Sequence, residues 1–176
     1  MLLTRSDEQD GKGGFTLRDS LLVYAPIERC FQLSCSLELV HEELGMDAVS
    51  GKQSGLVTGG DIVRWEGWQL GLKHFHVSHI SSFQQPVFMQ DTMLDGRFKT
   101  FQHDHHFREE PATGSGAPST VLEDELRFSL PFGLPGRLVA QMVMVPHIRK
   151  LMRSRFHRIK RIAEGEDWKR YLPATA

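Results

Sequence analysis

At 176 residues, with 40% hydrophobic and 24% charged side chains, the chain suits one domain with a real core and is too apolar for wholesale disorder. No apolar run approaches the ~20 residues of a membrane helix, and the N-terminal MLLTRSDEQDGKGG lacks an apolar signal segment. Two cysteines, Cys30 and Cys35, cannot build a disulfide scaffold, so a reduced, cytoplasmic setting is expected. The formal net charge of −1 hides an asymmetry: nine basic residues and no acidic one lie between Leu126 and Ala163.

Residues 1–14 are polar, hold three glycines and read as a flexible tail. Phe15 to Tyr24 is rich in Leu, Val and aromatics and predicts a strand. Ala25-Pro26 then opens a helical stretch, proline being tolerated in a first turn. Ile27, Phe31, Ser34 and Leu37 or Leu39 carry a loose helical period to about Leu44, read as two short helices ended by Gly45. From about Leu56 to Phe128 the period becomes two, predicting strands at 56–67, 70–82, 86–94, 98–109 and 119–130. Gly67 and Gly71 bracket a hairpin, Gln84-Gln85-Pro86 is a turn, and Asp95-Gly96 is a two-residue hairpin signal. Glu110 to Ser119 is a loose loop.

Pro131 to Pro135 stops the sheet, and a long helix is predicted from Pro135 to about Ala163, kinked at Pro146. Its apolar residues, Leu138, Met144, Val145, Ile148, Leu151, Met152, Phe156, Ile159 and Ile162, fall within an arc of about 140°. Arg149, Lys150, Arg153, Lys160 and Arg161 lie off that face, whereas Arg155 sits inside it. The predicted class is α+β: a curved antiparallel sheet of about six strands wrapped around a long C-terminal helix. The expected division is a tail at 1–14, one domain at 15–165 and a C-terminal tail at 166–176.

This order resembles the helix-grip fold of START-like, or SRPBCC, domains, the superfamily of Bet v 1 and the polyketide cyclases. The chain is most similar to the branch of small bacterial ligand-binding SRPBCC proteins, over about residues 15–163. The residues that carry the likeness are Tyr24-Ala25-Pro26-Ile27-Glu28 with Phe31, Gly60-Asp61-Ile62-Val63-Arg64-Trp65, and Pro86-Val87-Phe88. Further along are Gly96-Arg97-Phe98, His103-Asp104-His105-His106-Phe107, Asp124-Glu125-Leu126-Arg127-Phe128 and Leu130-Pro131-Phe132-Gly133. Where the branch carries an acidic pair, this chain reads Gln90-Asp91. Arg155 matches the arginine of the family's C-terminal helix pattern, although Ser154 and Phe156 beside it depart from that pattern. The resemblance implies a large cavity between sheet and long helix. It implies no reaction, since the superfamily spans carriers of lipids, sterols, hormones and quinones as well as cyclases and oxygenase domains.

The histidine-rich strand is the sharpest chemical feature. Alternation places Phe101, His103, His105 and Phe107 on one face, and the flanking aromatics assign that face inward. Two such imidazoles can bind a ligand oxygen, relay a proton, hold a metal or line a cavity as satisfied polar groups; no metal is expected. His74 and His76 share a face in a second cluster, read as an exposed strand face, with His79 opposite. Asp124 lies with Leu122, Leu126 and Phe128 on an otherwise apolar face, where a carboxylate is costly unless paired. Arg155 on the helix needs an anion for the same reason, so a structural ion pair and a ligand contact are both open for these two.

The expected binding set is Trp65, Phe88, Gln90, Phe101, His103, His105, Phe107, Asp124, Leu126, Phe128, Met142, Val145, Met152, Arg155 and Phe156. For any one apolar member, simple core packing is the competing explanation. Cys30 and Cys35 read as inert core thiols. The first functional expectation is a protein that binds a hydrophobic small molecule, a lipid, quinone or aromatic polyketide-like compound, without a cofactor. The alternatives are a cyclase, aromatase or hydratase-like enzyme using His103, His105, Asp124 or Arg155, and an interaction module acting through the basic helix. The acidic remainder of the chain argues against nucleic acid. Peripheral membrane contact, a protein partner and a homodimer stay open, related domains being fused to epimerase-like proteins.

Overall fold

The computed structural model describes residues 2–9, 13–111 and 118–172. Its centre is an antiparallel sheet of eight strands in the order β1-β2-β8-β7-β6-β5-β4-β3, curved and unclosed. The strands are β1 (Leu2–Gln9), β2 (Phe15–Val23), β3 (Met46–Gly51), β4 (Ile62–Gln69), β5 (Leu72–Gln84), β6 (Phe88–Gly96), β7 (Thr100–Glu110) and β8 (Ser119–Ser129). Two helices, α1 (Ile27–Cys35) and α2 (Leu37–Leu44), follow β2. After the sheet come α3 (Gly133–Val139), a π-helical turn (Ala140–Met144) and α4 (Val145–Glu164).

Local chemistry explains the joints. Ser36 caps α2: its hydroxyl accepts the Leu39 N–H at 3.3 Å. Gly45 closes the helix in the left-handed region at φ 63°, donating to the His41 carbonyl at 2.8 Å. The β4–β5 hairpin turns on Leu70-Gly71, both with positive φ, whereas Gly67 lies within β4, where a Cβ would strike Met46 of β3.

Several expectations are corrected. The sheet has eight strands rather than six. Residues 2–9 are not a tail but pair antiparallel with β2, and their polarity suits an edge strand. Met46–Gly51, which the sequence pattern assigned to no element, is the opposite edge strand β3. Asp95 and Gly96 are still paired with Val77 and His76, so the chain reverses at 97–99 instead. Residues 166–172 are not a tail either: Trp168 and Tyr171 pack on the core and Leu172 is buried. The Arg29 guanidinium stacks 4.3 Å over the Trp168 ring, a contact that sequence pattern does not reveal. Residues 112–117 of the predicted loop and residues 173–176 lie outside the described residues.

The core has two parts. One joins Leu21, Val23, Phe31, Leu33, Leu39 and Trp65 to Phe156, Ile159 and Ile162 of α4. The other joins Phe15, Leu17, Leu126 and Phe128 to Ala140, Ile148 and Met152. Arg149, placed by the helical wheel off the apolar face, is buried all the same. Strands β1 and β2 flank it, and it donates to the carbonyls of Arg18 (3.0 Å) and Ser6 (2.7 Å). The wheel describes one helix and cannot know which neighbours wrap around it.

Candidate functional site

Between the sheet, α2 and α4 lies a cavity of about 320 Å³, within the range of small-molecule sites. Its wall is mainly apolar, with Leu37, Val40, Val63, Ile80, Met89 and Leu151 among the lining residues. Seven members of the expected set line it: Trp65, Phe101, His103, His105, Leu126, Met152 and Arg155. Asp124 sits behind this lining, buried, hydrogen-bonded to His105 and Arg155 and 3.3 Å from His103.

The polar residues form a connected row. Strand pairing sets Asp91 of β6 opposite His103 of β7, and His105 of β7 opposite Asp124 of β8. His105 Nδ1 lies 2.8 Å from Asp124 Oδ1. Arg155 Nη1, arriving from α4, donates to Asp124 Oδ2 at 2.8 Å, and His103 Nε2 stands 3.3 Å from the same oxygen. Arg155 Nε is 3.7 Å from Glu43 Oε2, which brings in α2. Sheet and long helix are therefore tied by a buried ion pair, the arrangement that removes the cost of isolated charges at Asp124 and Arg155.

Electrostatics sorts these groups. Burial alone would raise the Asp124 carboxyl, but Arg155 and both histidines outweigh it and hold the group well below the usual carboxylate range. Asp124 is thus an acceptor only, so the proton of the His105 bond resides on Nδ1. Burial, aided by neighbouring His103, pushes His105 down to about 3, leaving a neutral imidazole. Burial pushes Glu43 up to about 7 despite Arg155, and Asp91 up to about 6 despite a 2.9 Å hydrogen bond from Ser78. Burial likewise takes His76 down to about 4.

Four buried polar atoms in the cavity lining have no hydrogen-bond partner: Glu43 Oε1, Asp91 Oδ1, His103 Nε2 and Arg155 Nη2. Buried polar groups are normally paired, so this concentration marks one end of the cavity as ready for a polar group. His103, His105 and Asp124 offer donor atoms within 4.8 Å of one another and are the residues suited to a metal ion among those described. Both Asp124 oxygens already serve Arg155 and His105, so an ion would have to displace existing bonds there.

Other members of the expected set are elsewhere. Phe107, Phe128 and Phe156 are buried in the packed core, and Val145 packs against it. Phe88 is a correction: it pairs with His106, and their rings meet at 4.8 Å on the outer face. Gln90 is on that face too, donating to Asp104 at 2.8 Å. Met89 and Asp91 take the inward positions of β6. Phe88 and Met89 are both apolar, so sequence alternation alone could not phase this strand. Met142 is the third correction, 75% exposed. Met142 lies outside the predicted apolar arc of the long helix, within the π-helical turn at 140–144, and its side chain faces solvent.

Sequence reasoning missed Glu43 and undervalued Asp91. Glu43 reads as one acid among several on a polar helix end, and only the approach of α2 to Arg155 buries it. His74 and His76, expected on an exposed face, line the cavity. Cys30 and Cys35 are buried free thiols, raised by burial to about 11 and about 12.

No known family model matches the sequence, and no curated protein is significantly similar to it. Solved structures are similar in fold. Ara h 8.0201 aligns with a TM-score of 0.58 at 13% identity, over 85% of this chain and 97% of its own. A START superfamily protein from Mycobacterium smegmatis aligns with a TM-score of 0.56 at 14% identity, over 82% and 98%. Major latex-like protein 151 from Panax ginseng aligns with a TM-score of 0.59 at 10% identity, over 91% and 99%.

Proposed function

Starting from a chain with the helix-grip fold of Bet v 1-like and START proteins, we propose that it binds a hydrophobic small molecule carrying oxygen functions at one end. The observation that carries this is the cavity of about 320 Å³ with an apolar wall and four unpartnered polar atoms at one end. Burying a ligand's apolar body yields roughly 25 cal/mol per Å², and the polar end fixes its orientation. Arg155 Nη2 donates to a ligand oxygen, and Glu43 Oε1 and Asp91 Oδ1 accept from a ligand hydroxyl. A lipid, a quinone or an aromatic polyketide-like compound meets this description. Native mass spectrometry of protein taken from cells, with saturable displacement of bound ANS, tests it. An adduct lost on Arg155→Met is expected; no adduct together with no saturable ANS binding would refute it.

A second reading is an enzyme of the cyclase or hydratase type, favoured by Glu43 at about 7 and Asp91 at about 6 facing one cavity. Groups titrating near neutrality serve acid–base work. Turnover of a polyketide that is lost in both Glu43→Gln and Asp91→Asn, with binding retained, would support this over simple carriage.

A further inference from the structure

The cavity reaches the surface at one end, and that end is apolar on its outside too. Leu70 and Leu72, at the tip of the β4–β5 hairpin, line the cavity and are themselves exposed. His147 near the start of α4 lies 3.2 Å from Gln69 of the same hairpin, placing the α3–α4 junction beside it. Leu130 and Met144 both line the cavity, and the chain between them carries Phe132, Leu134, Leu138 and Met142 into solvent. Leu134 and Leu138 are four residues apart and share one side of α3. Gly136 is the one buried residue of α3.

Single exposed apolar residues are ordinary; their concentration is not. Among the described residues, ten of the fourteen exposed large hydrophobics fall in 68–72, 94–99 and 132–143. Among the described residues, Leu70 and Phe132 are also the two non-glycine residues with positive φ, 52° and 74°, and Phe132 is 85% exposed. Bulky residues avoid that region, so strained backbone is maintained here with apolar side chains facing water.

The charges around this rim have one dominant sign. Residues 68–73, 94–99 and 130–143 hold Lys73, Arg97, Lys99 and Arg137 against a single acid, Asp95, in a chain of net charge −1. An apolar rim with a cationic collar matches a surface that is apolar inside and anionic at its face. A second copy of the chain would bring the same cations against one another. We propose that this end of the molecule docks on an anionic lipid surface, with α3 and the β4–β5 hairpin seated at headgroup depth. The cavity mouth then faces the lipid, and a hydrophobic occupant passes between them without crossing water. The docking surface does not depend on what the cavity holds.

Co-sedimentation of the full chain with vesicles tests this, comparing phosphatidylcholine with an equimolar mixture of phosphatidylcholine and phosphatidylglycerol. Binding to the mixed vesicles is expected, falling about twenty-five-fold in the Lys73→Gln/Lys99→Gln variant, since each surface cation near an anionic membrane contributes roughly a factor of five. The Phe132→Ser/Leu134→Ser/Leu138→Ser variant should lose binding altogether. These side chains are exposed, so its circular dichroism and urea midpoint should match the parent; if they do not, the lysine variant carries the test. No binding to mixed vesicles, equal binding to both kinds, or a stable dimer dispersed by the triple substitution would overturn the proposal. Vesicle binding is read without a ligand, so its failure is separate from failure of the binding reading.

Discussion

Replacing Arg155 by methionine leaves the Asp124 carboxylate at 1% side-chain exposure with its principal counter-charge gone. Two imidazoles stay beside it, at 2.8 and 3.3 Å, and one of them is neutral in the folded state. Breaking a buried pair from one side costs about 3–5 kcal/mol, a large part of the ~5–15 kcal/mol that holds a domain folded. Adding Asp124→Asn removes the stranded charge while keeping an oxygen to accept the His105 Nδ1–H. The double variant should therefore be more stable than Arg155→Met alone by about 2 kcal/mol, although it carries one more substitution. Urea denaturation at pH 7.5, followed by circular dichroism for wild type, both single variants and the double, gives the coupling energy. A coupling below about 0.5 kcal/mol would refute the reasoning, because it would mean that water screens the pair.

The acid at α2 should show itself through pH. Glu43 is raised from 4.5 to about 7, so its ionisation penalises the folded state progressively as pH climbs through that window and not at all below it. Glu43→Gln should leave stability unchanged near pH 4.5 and raise it above pH 7, checked by urea midpoints across the range; a parallel pair of curves would count against burial. His105 shifts the opposite way, from 6.5 down to about 3, so acidification through this window weakens the fold. Its ring resonances should stay those of neutral imidazole at pH 5, and a midpoint near 6.5 by NMR would contradict the geometry. Cys30 and Cys35, raised to about 11 and about 12, should resist a thiol reagent at pH 8 in the native state and react once urea unfolds the chain.

Much of the architecture was legible in the residues themselves. The change from helical to two-residue periodicity located β4 to β8, because a strand's alternation is a local property. Arg155 inside an apolar arc and Asp124 on an apolar strand face announced that each needed a partner, because desolvating a charge is costly wherever the chain goes. That they meet each other, at 2.8 Å, is decided by how α4 lies across β8.

The edge strands and the C-terminal turn were not legible. Ser6–Gln9 and most of Met46–Gly51 are exposed and so carry little pattern; their neighbours recruit these strands through backbone hydrogen bonds, which any sequence can make. The phase of β6 and the π turn at Ala140–Met144 were hidden because alternation does not choose between adjacent apolar residues and a π turn leaves no sequence mark. Glu43 was hidden for a related reason: burial belongs to the packing of α2 against α4, not to the residue. By itself, then, the chain specified its periods, its joints and the charges that had to be neutralised. Tertiary structure alone decided which charges neutralise one another, which polar atoms are left facing the cavity, and which apolar side chains remain outside it, because those outcomes depend on distances between segments far apart in the chain.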